Sequence, residues 1–319
     1  MTGATREETR KQDEARKLDL LLRRVGSVIL GKDRAIRLAV ATLLARGHLL
    51  IEDVPGVGKT TLAFTLATAV HCSFQRIQFT SDMLPADIIG VSIFNPDARE
   101  FEFRAGPLFA NIVLADEINR TTPKTQSALL EAMNERRVSV DRVTHPLPEP
   151  FMVIATENPV EYRGTFPLPE SQLDRFMMHL SLGYPAPEDE RRVLAEGMDF
   201  RELHALGPVL DGADIVAMQE RVGEVRVDGS VIGYVLDIVG RTRVHGDILL
   251  GASTRGAQFL VRMAKSLAYM EGRGYVLPSD VKEVAPQVLG HRLILKRQTY
   301  LAEAVGLVEG ILDETPVPA

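Results

Sequence analysis

The chain has 319 residues, 45% of them hydrophobic and 25% charged, with a net charge of −6. That length allows two domains and a substantial core. The acidic balance argues against a general nucleic-acid binder, leaving room only for a local basic patch, so no nucleic-acid partner is expected. A single cysteine, Cys72, excludes an intrachain disulfide and a cysteine-built zinc site, and it reads as a core residue. The polar N-terminus has no apolar signal segment, and no apolar run approaches the ~18 residues a membrane span needs. A cytoplasmic location is expected.

Residues 1–16 read as a disordered or loosely helical lead-in. Leu18, Leu21, Leu22 and Val25 recur at helical spacing and predict a helix over 16–28. Ile36, Ala39, Val40 and Leu43 predict a second over 33–46, with Gly47 suited to its C-terminus. Short apolar runs at 48–52, 74–79, 111–116, 151–156 and 177–182 then read as strands. Helical stretches separate most of them. Such alternation predicts an α/β domain, a buried parallel sheet with helices on both faces. Two insertions, about 90–105 and about 137–149, read as hairpins. After residue 183 strand-like runs give way to helical periodicity. The clearest helix is 253–270, with Ala257, Leu260, Val261, Ala264, Leu267 and Ala268 on one stripe. The expected division is a core over 17–183 and a helical domain over 184–319.

In open parallel sheets ligands sit at the carboxyl ends of the strands, so the polar residues ending these runs matter most. After the first run comes EDVPGVGKTT. Gly56 and Gly58 can take backbone angles that turn several N–H groups onto one anion, and the following helix N-terminus adds donors and partial positive charge. Pro55, Gly56, Val57, Gly58, Lys59, Thr60 and Thr61 thus make a candidate phosphate loop, with Lys59 reaching β- and γ-phosphates and Thr60 giving its hydroxyl to Mg²⁺. The strict G-x-x-x-x-G-K-[ST] pattern needs a glycine where this chain has Asp53. Its carboxylate is expected to point away from the phosphates.

The run 112–115 ends in Asp116 and Glu117. Two carboxylates closing a buried strand are costly without a task. Asp116 suits the Mg²⁺ shell, and Glu117 suits the activation of an attacking water. Asn158, before a proline at another strand end, suits positioning of that water. Transition-state charge calls for a cation, and Arg175 and Arg255 are candidates, although an arginine is most often a solvated surface residue.

PGVGKTT, FTSDMLPADIIG, LADEINRTTPKTQSALLEAM, ATENP, GTFPLPESQLDRF and GASTRG, in that order, resemble the MoxR family of AAA+ ATPases over nearly the whole chain. The resemblance implies a five-stranded αβα P-loop core with an all-helical lid. The first hairpin would be the insert in helix 2 and the second the hairpin before sensor 1. Asn158 matches sensor 1, Arg175 an arginine finger acting across a subunit boundary, and Arg255 sensor 2. The stretch containing Ile29 and Gly31 lies where adenine packs in this superfamily. The family implies ATP and Mg²⁺ as cofactors, a homo-oligomeric ring, usually hexameric, and protein clients remodelled or activated by ATP hydrolysis. Those partners often carry von Willebrand factor A domains. The alternatives are a magnesium-chelatase-like motor subunit, a DNA-translocating motor, and a non-hydrolysing nucleotide-dependent scaffold. The DNA motor predicts basic hairpin tips; the first, FNPDAREF, has one arginine between acids, and the second, SVDRVTHP, one arginine and one histidine, which argues weakly against it.

Overall fold

The computed structural model describes residues 3–158, 165–196, 207–297 and 301–318. Helix α1 (Gly3–Gly26) is followed by α2 (Asp33–Leu44). The first helix therefore starts well before the expected residue 16, and the lead-in expected to be disordered or loosely helical is helical from Gly3. The chain continues through β1 (Leu49–Glu52), α3 (Lys59–Ala69), β2 (Phe74–Gln78) and α4 (Pro85–Ile89) to the hairpin β3 (Gly90–Asn95) and β4 (Glu100–Ala105). Next come β5 (Ile112–Asp116), α5 (Pro123–Glu135), the hairpin β6 (Arg137–Val140) and β7 (Val143–Pro146), β8 (Met152–Glu157), the short α6 (Glu170–Leu173) and β9 (Met178–Leu180).

Five of these strands form one parallel sheet in the order β2-β5-β8-β1-β9. Each strand falls on one of the apolar runs. Alternation sorts their side chains onto two faces. Leu49, Ile51, Ile112, Leu114, Met152 and Ile154 pack in one apolar cluster. Leu50, Val113, Ala115, Val153 and Ala155 pack in the other. A sheet buried on both faces has no solvated side to mark, which is why its strands read as continuous apolar runs. The hairpins lie where expected, and they touch each other, Phe103 stacking on His145 with ring centroids 3.9 Å apart.

Beyond β9 follow α7 (Pro187–Glu196), α8 (Gly212–Glu224), α9 (Gly229–Val244), α10 (Thr254–Met270), α11 (Pro278–Leu289) and α12 (Leu301–Glu314). This helical part also holds a short antiparallel pair, β10 (Ile248–Leu250) with β11 (Ile294–Leu295). Helix α10 starts where its sequence says: the Ser253 hydroxyl accepts from the Gly256 N–H at 3.1 Å, satisfying an orphan donor of the first turn. Its stripe is buried except at Val261, which is half-buried. Helix α2 joins the two parts. Its apolar face belongs to the cluster that runs from the sheet into the helices. Its carbonyls accept from across the junction, Ala41 from Ser266 Oγ at 2.8 Å and Leu43 from Gln219 Nε2 at 2.8 Å. Among the described residues, no helix is long and apolar enough to cross a membrane.

Candidate active site

The parallel sheet brings the ends of β1, β5 and β8 to one edge. A cavity of about 430 Å³ opens there. Pro55, Gly56, Val57, Gly58, Lys59, Thr60 and Thr61 line it, together with Asp116, Glu117, Asn158 and Ile29. Gly31 lines instead a neighbouring cavity of about 1100 Å³ between the β1–β9 edge and the helical part. The loop is cradle-shaped because Gly56 (φ 85°) and Gly58 (φ 92°) take left-handed backbone that other residues avoid. Gly58 is also the N-cap of α3, so the helix N-terminus faces the cavity. The Lys59 ammonium donates to the Asp53 main-chain carbonyl at 2.5 Å. Burial pushes it below its ordinary pKa, opposed by the carboxylates of Asp53, Asp116, Glu117 and Glu52.

Asp53 itself turns out of the cavity. Its Oδ2 accepts from Ser181 Oγ (3.0 Å), Leu182 N–H (2.6 Å) and Gly183 N–H (2.7 Å), and its Oδ1 from Val54 N–H (3.0 Å). The departure from the glycine pattern therefore leaves the phosphate cradle open.

One hydroxyl organises the acidic pair. Thr156, fully buried on β8, donates to Asp116 Oδ1 at 2.6 Å and accepts the Glu117 N–H at 2.9 Å. The register that pairs Ala115 with Ala155 makes this contact possible. Glu117 sits in left-handed backbone (φ 57°, ψ 49°), an arrangement costing about 1–3 kcal/mol for a non-glycine residue and persisting only where neighbours fix it. Its Oε2 accepts from Gln78 Nε2 (2.8 Å) and Arg120 Nη1 (2.9 Å). Asp116 Oδ2 accepts from Arg76 Nη2 (2.6 Å) and Nε (3.0 Å), and Arg76 also lines the cavity.

Neither Arg175 nor Arg255 lines this cavity. Arg175 Nη1 donates to the Leu130 carbonyl on α5 at 2.7 Å. Arg255, at the start of α10, lies 3.6 Å from Asp174 Oδ2. Asp174 also accepts from Ser253 Oγ (3.1 Å) and Arg292 Nε (3.0 Å), so Arg255 and Arg292 belong to one cluster centred on Asp174.

Sequence reasoning missed Thr156, Arg76, Gln78 and Asp174. Thr156 carried a signal, a hydroxyl within an otherwise apolar buried run. The others are ordinary polar residues until the fold places them.

The residues fit a nucleoside triphosphate with magnesium. The cradle offers inward amides, a lysine and a helix N-terminus, and Val28, Ile29, Val57 and Val193 give an apolar wall for a base. A triphosphate-bound Mg²⁺ takes only one or two protein oxygens, the rest coming from phosphates and water. Thr60 and Asp116 would supply that number, with Arg76 sharing the Asp116 carboxylate.

Comparison with known proteins agrees. The family described as ATPase family associated with various cellular activities (AAA) matches residues 48–178, and the AAA lid domain matches residues 240–312. Fold and site together define an AAA-type P-loop ATPase with a lid. The crystal structure of a proposed ATPase from Cytophaga hutchinsonii superposes with a TM-score of 0.89 at 39% identity, covering 99% of both chains. The uncharacterized protein YeaC of Bacillus subtilis is 47% identical over 92% of this chain and 92% of its own. The chaperone MoxR1 of Mycobacterium tuberculosis is 42% identical over 88% of this chain and 77% of its own. The chain belongs to the MoxR family of AAA+ ATPases.

Proposed function

We propose that the protein hydrolyses ATP with Mg²⁺ in a ring of six identical copies and uses the cycle to remodel or activate partner proteins. The observation that carries the reading is the convergence of Lys59, Thr60, Asp116, Glu117 and Asn158 on one cavity at the sheet's carboxyl edge. Mg²⁺, held by Thr60 and Asp116, would supply charge neutralisation on the phosphates.

The chain's own residues do the rest. Amides at Gly56, Gly58 and the start of α3 bind phosphate oxygens. Lys59 exchanges the Asp53 carbonyl for the β- and γ-phosphates. Glu117 orients a water against the γ-phosphate and takes its proton, its backbone fixed by Thr156. Asn158 holds the same water. Gln78 and Arg120 engage the Glu117 carboxylate and would release it when the water arrives.

Neither Arg175 nor Arg255 lines its own chain's cavity; Arg175 is held by the Leu130 carbonyl and Arg255 lies beside Asp174. That placement supports a role on a neighbouring copy's nucleotide, in a head-to-tail ring. The boundary between core and lid is placed near residue 183. The first hairpin exposes Val91, Ile93, Phe94 and Phe101, the last 73% exposed. Exposed apolar strands behind a polar tip suit a protein client better than a phosphate backbone. Clients with von Willebrand factor A domains, the partner class the family implies, are part of this proposal, as is a cytoplasmic location.

The test is Glu117→Gln. Binding of a fluorescent ATP analogue should stay within about threefold of wild type, while turnover falls about 10²–10⁴-fold, the usual worth of a positioned base. Undiminished turnover would sink Glu117 as the base.

A further inference from the structure

We infer that Asp53 is a positioning residue that locks the phosphate loop to the segment leaving β9, so that occupancy of the loop is transmitted to the wall of the cavity and on towards the helical part. This rests on the reading that the cavity binds a nucleotide.

Asp53 is only 7% exposed. A buried carboxylate is tolerated when its oxygens are satisfied, and here both are. Oδ1 accepts from Val54 N–H at 3.0 Å within the loop. Oδ2 accepts three donors from residues 181–183, with Leu182 N–H at 2.6 Å and Gly183 N–H at 2.7 Å. Charge-assisted bonds of this length are the strong kind. A glycine at this position, as the strict motif has, offers nothing to those amides.

The segment so held is a wall of the site. Gly183 turns it with φ 63°, Lys32 Nζ holds the Tyr184 carbonyl at 2.7 Å, and Pro185 and Val193 line the cavity. The other end of the lever is the same residue's backbone. The Asp53 carbonyl accepts from the Lys59 ammonium. Moving Lys59 onto a phosphate therefore frees the main chain of the residue whose side chain grips the exit segment. Phosphate binding and the position of 181–185 are connected through one residue, within a few bonds.

A tolerated sequence variation and a coupling residue make opposite predictions for Asp53→Gly, which restores the strict motif. The experiment compares full-length wild type, Asp53→Gly, Asp53→Asn and Ser181→Ala. It measures binding of a fluorescent ADP analogue, kcat and KM for ATP, and hydrogen exchange of the peptide spanning 181–186 with and without ADP. Coupling predicts that Asp53→Gly binds the analogue within about threefold of wild type while kcat falls about tenfold or more. ADP should protect 181–184 in wild type and leave the variant unchanged. Asp53→Asn keeps one accepting oxygen and should fall between the two. If Asp53→Gly does not fold, Ser181→Ala decides, because it removes one bond at an exposed hydroxyl. Its kcat should drop about two- to fivefold at constant KM. The inference is overturned by a kcat for Asp53→Gly at or above wild type, by an ADP response of 181–184 that survives the substitution, or, in the fallback, by unchanged Ser181→Ala kinetics. Absence of analogue binding by wild type would instead overturn the nucleotide reading itself.

Discussion

Thr156→Val removes a hydroxyl of nearly the same volume and leaves the apolar packing in place. Two bonds disappear. The first is the 2.6 Å donation to the Asp116 carboxylate, a charge-assisted bond worth about 1.5–3 kcal/mol. The second is the 2.9 Å acceptance of the Glu117 N–H. Its loss strands a donor at a cost of about 1–3 kcal/mol. Together they predict a loss of about 2.5–6 kcal/mol from a total stability that is typically ~5–15 kcal/mol. The kinetic effect follows from geometry. Glu117 is held in left-handed backbone by that N–H contact. Relaxation shifts its carboxylate, and a misplacement of about 1 Å costs on the order of 10²-fold in rate. Urea unfolding measures the first quantity and steady-state ATP turnover the second, with ADP binding as the check that the cradle survives. A variant destabilised by less than about 0.5 kcal/mol, with turnover near wild type, would refute the assignment of Thr156 as the common anchor.

Two further outcomes follow. Burial and the neighbouring Glu52 carboxylate push Glu157 up to about 7, from an ordinary 4.5. Between those values the folded chain keeps a proton that the unfolded chain has lost. Stability from this group is therefore full below the unfolded value, falls as pH rises to about 7, and is then flat. Glu157→Gln should remove this fall and be more stable than wild type at pH 8, by up to about 3 kcal/mol; denaturation midpoints at pH 5 and pH 8 with the same gap in both proteins would contradict it. In the helical part, Arg273 Nη1 and Nη2 grip the buried Asp280 at 2.8 and 2.5 Å. Asp280→Ala leaves the Leu277 N–H without its acceptor and Arg273 with only the Glu271 carboxylate and the Tyr275 carbonyl, and should cost about 1.5–3 kcal/mol, read by urea denaturation.

The sheet was legible because its strands are buried on both faces, so each apolar run marked a strand directly. The hairpins were legible from alternation. The start of helix α1 was not, since residues 3–15 are mostly polar and give little periodicity to mark it. The cradle at 55–61 and the acids at 116 and 117 were readable because their chemistry is local. What escaped depends on register and on chain crossings. Thr156 matters through its place beside Asp116, Asp174 through contacts to Ser253 and Arg292, and Asp53 through amides about 130 positions away in sequence. Asp53 looked like a flaw in a motif when read along the chain, and is a four-bond anchor when read in space.

In the proposed ring one chain carries half of a catalytic site and its neighbour the other half. Mixing Arg175→Ala with Lys59→Ala protein tests it directly. Each variant alone should be nearly inactive. In mixed rings, an interface that pairs the intact Lys59 of one copy with the intact Arg175 of the next forms in proportion to the product of the two fractions. ATP turnover should therefore trace a bell with a maximum of about a quarter of wild type at equal amounts. Turnover that stays at the level of the separate variants at every ratio would contradict a site shared between copies.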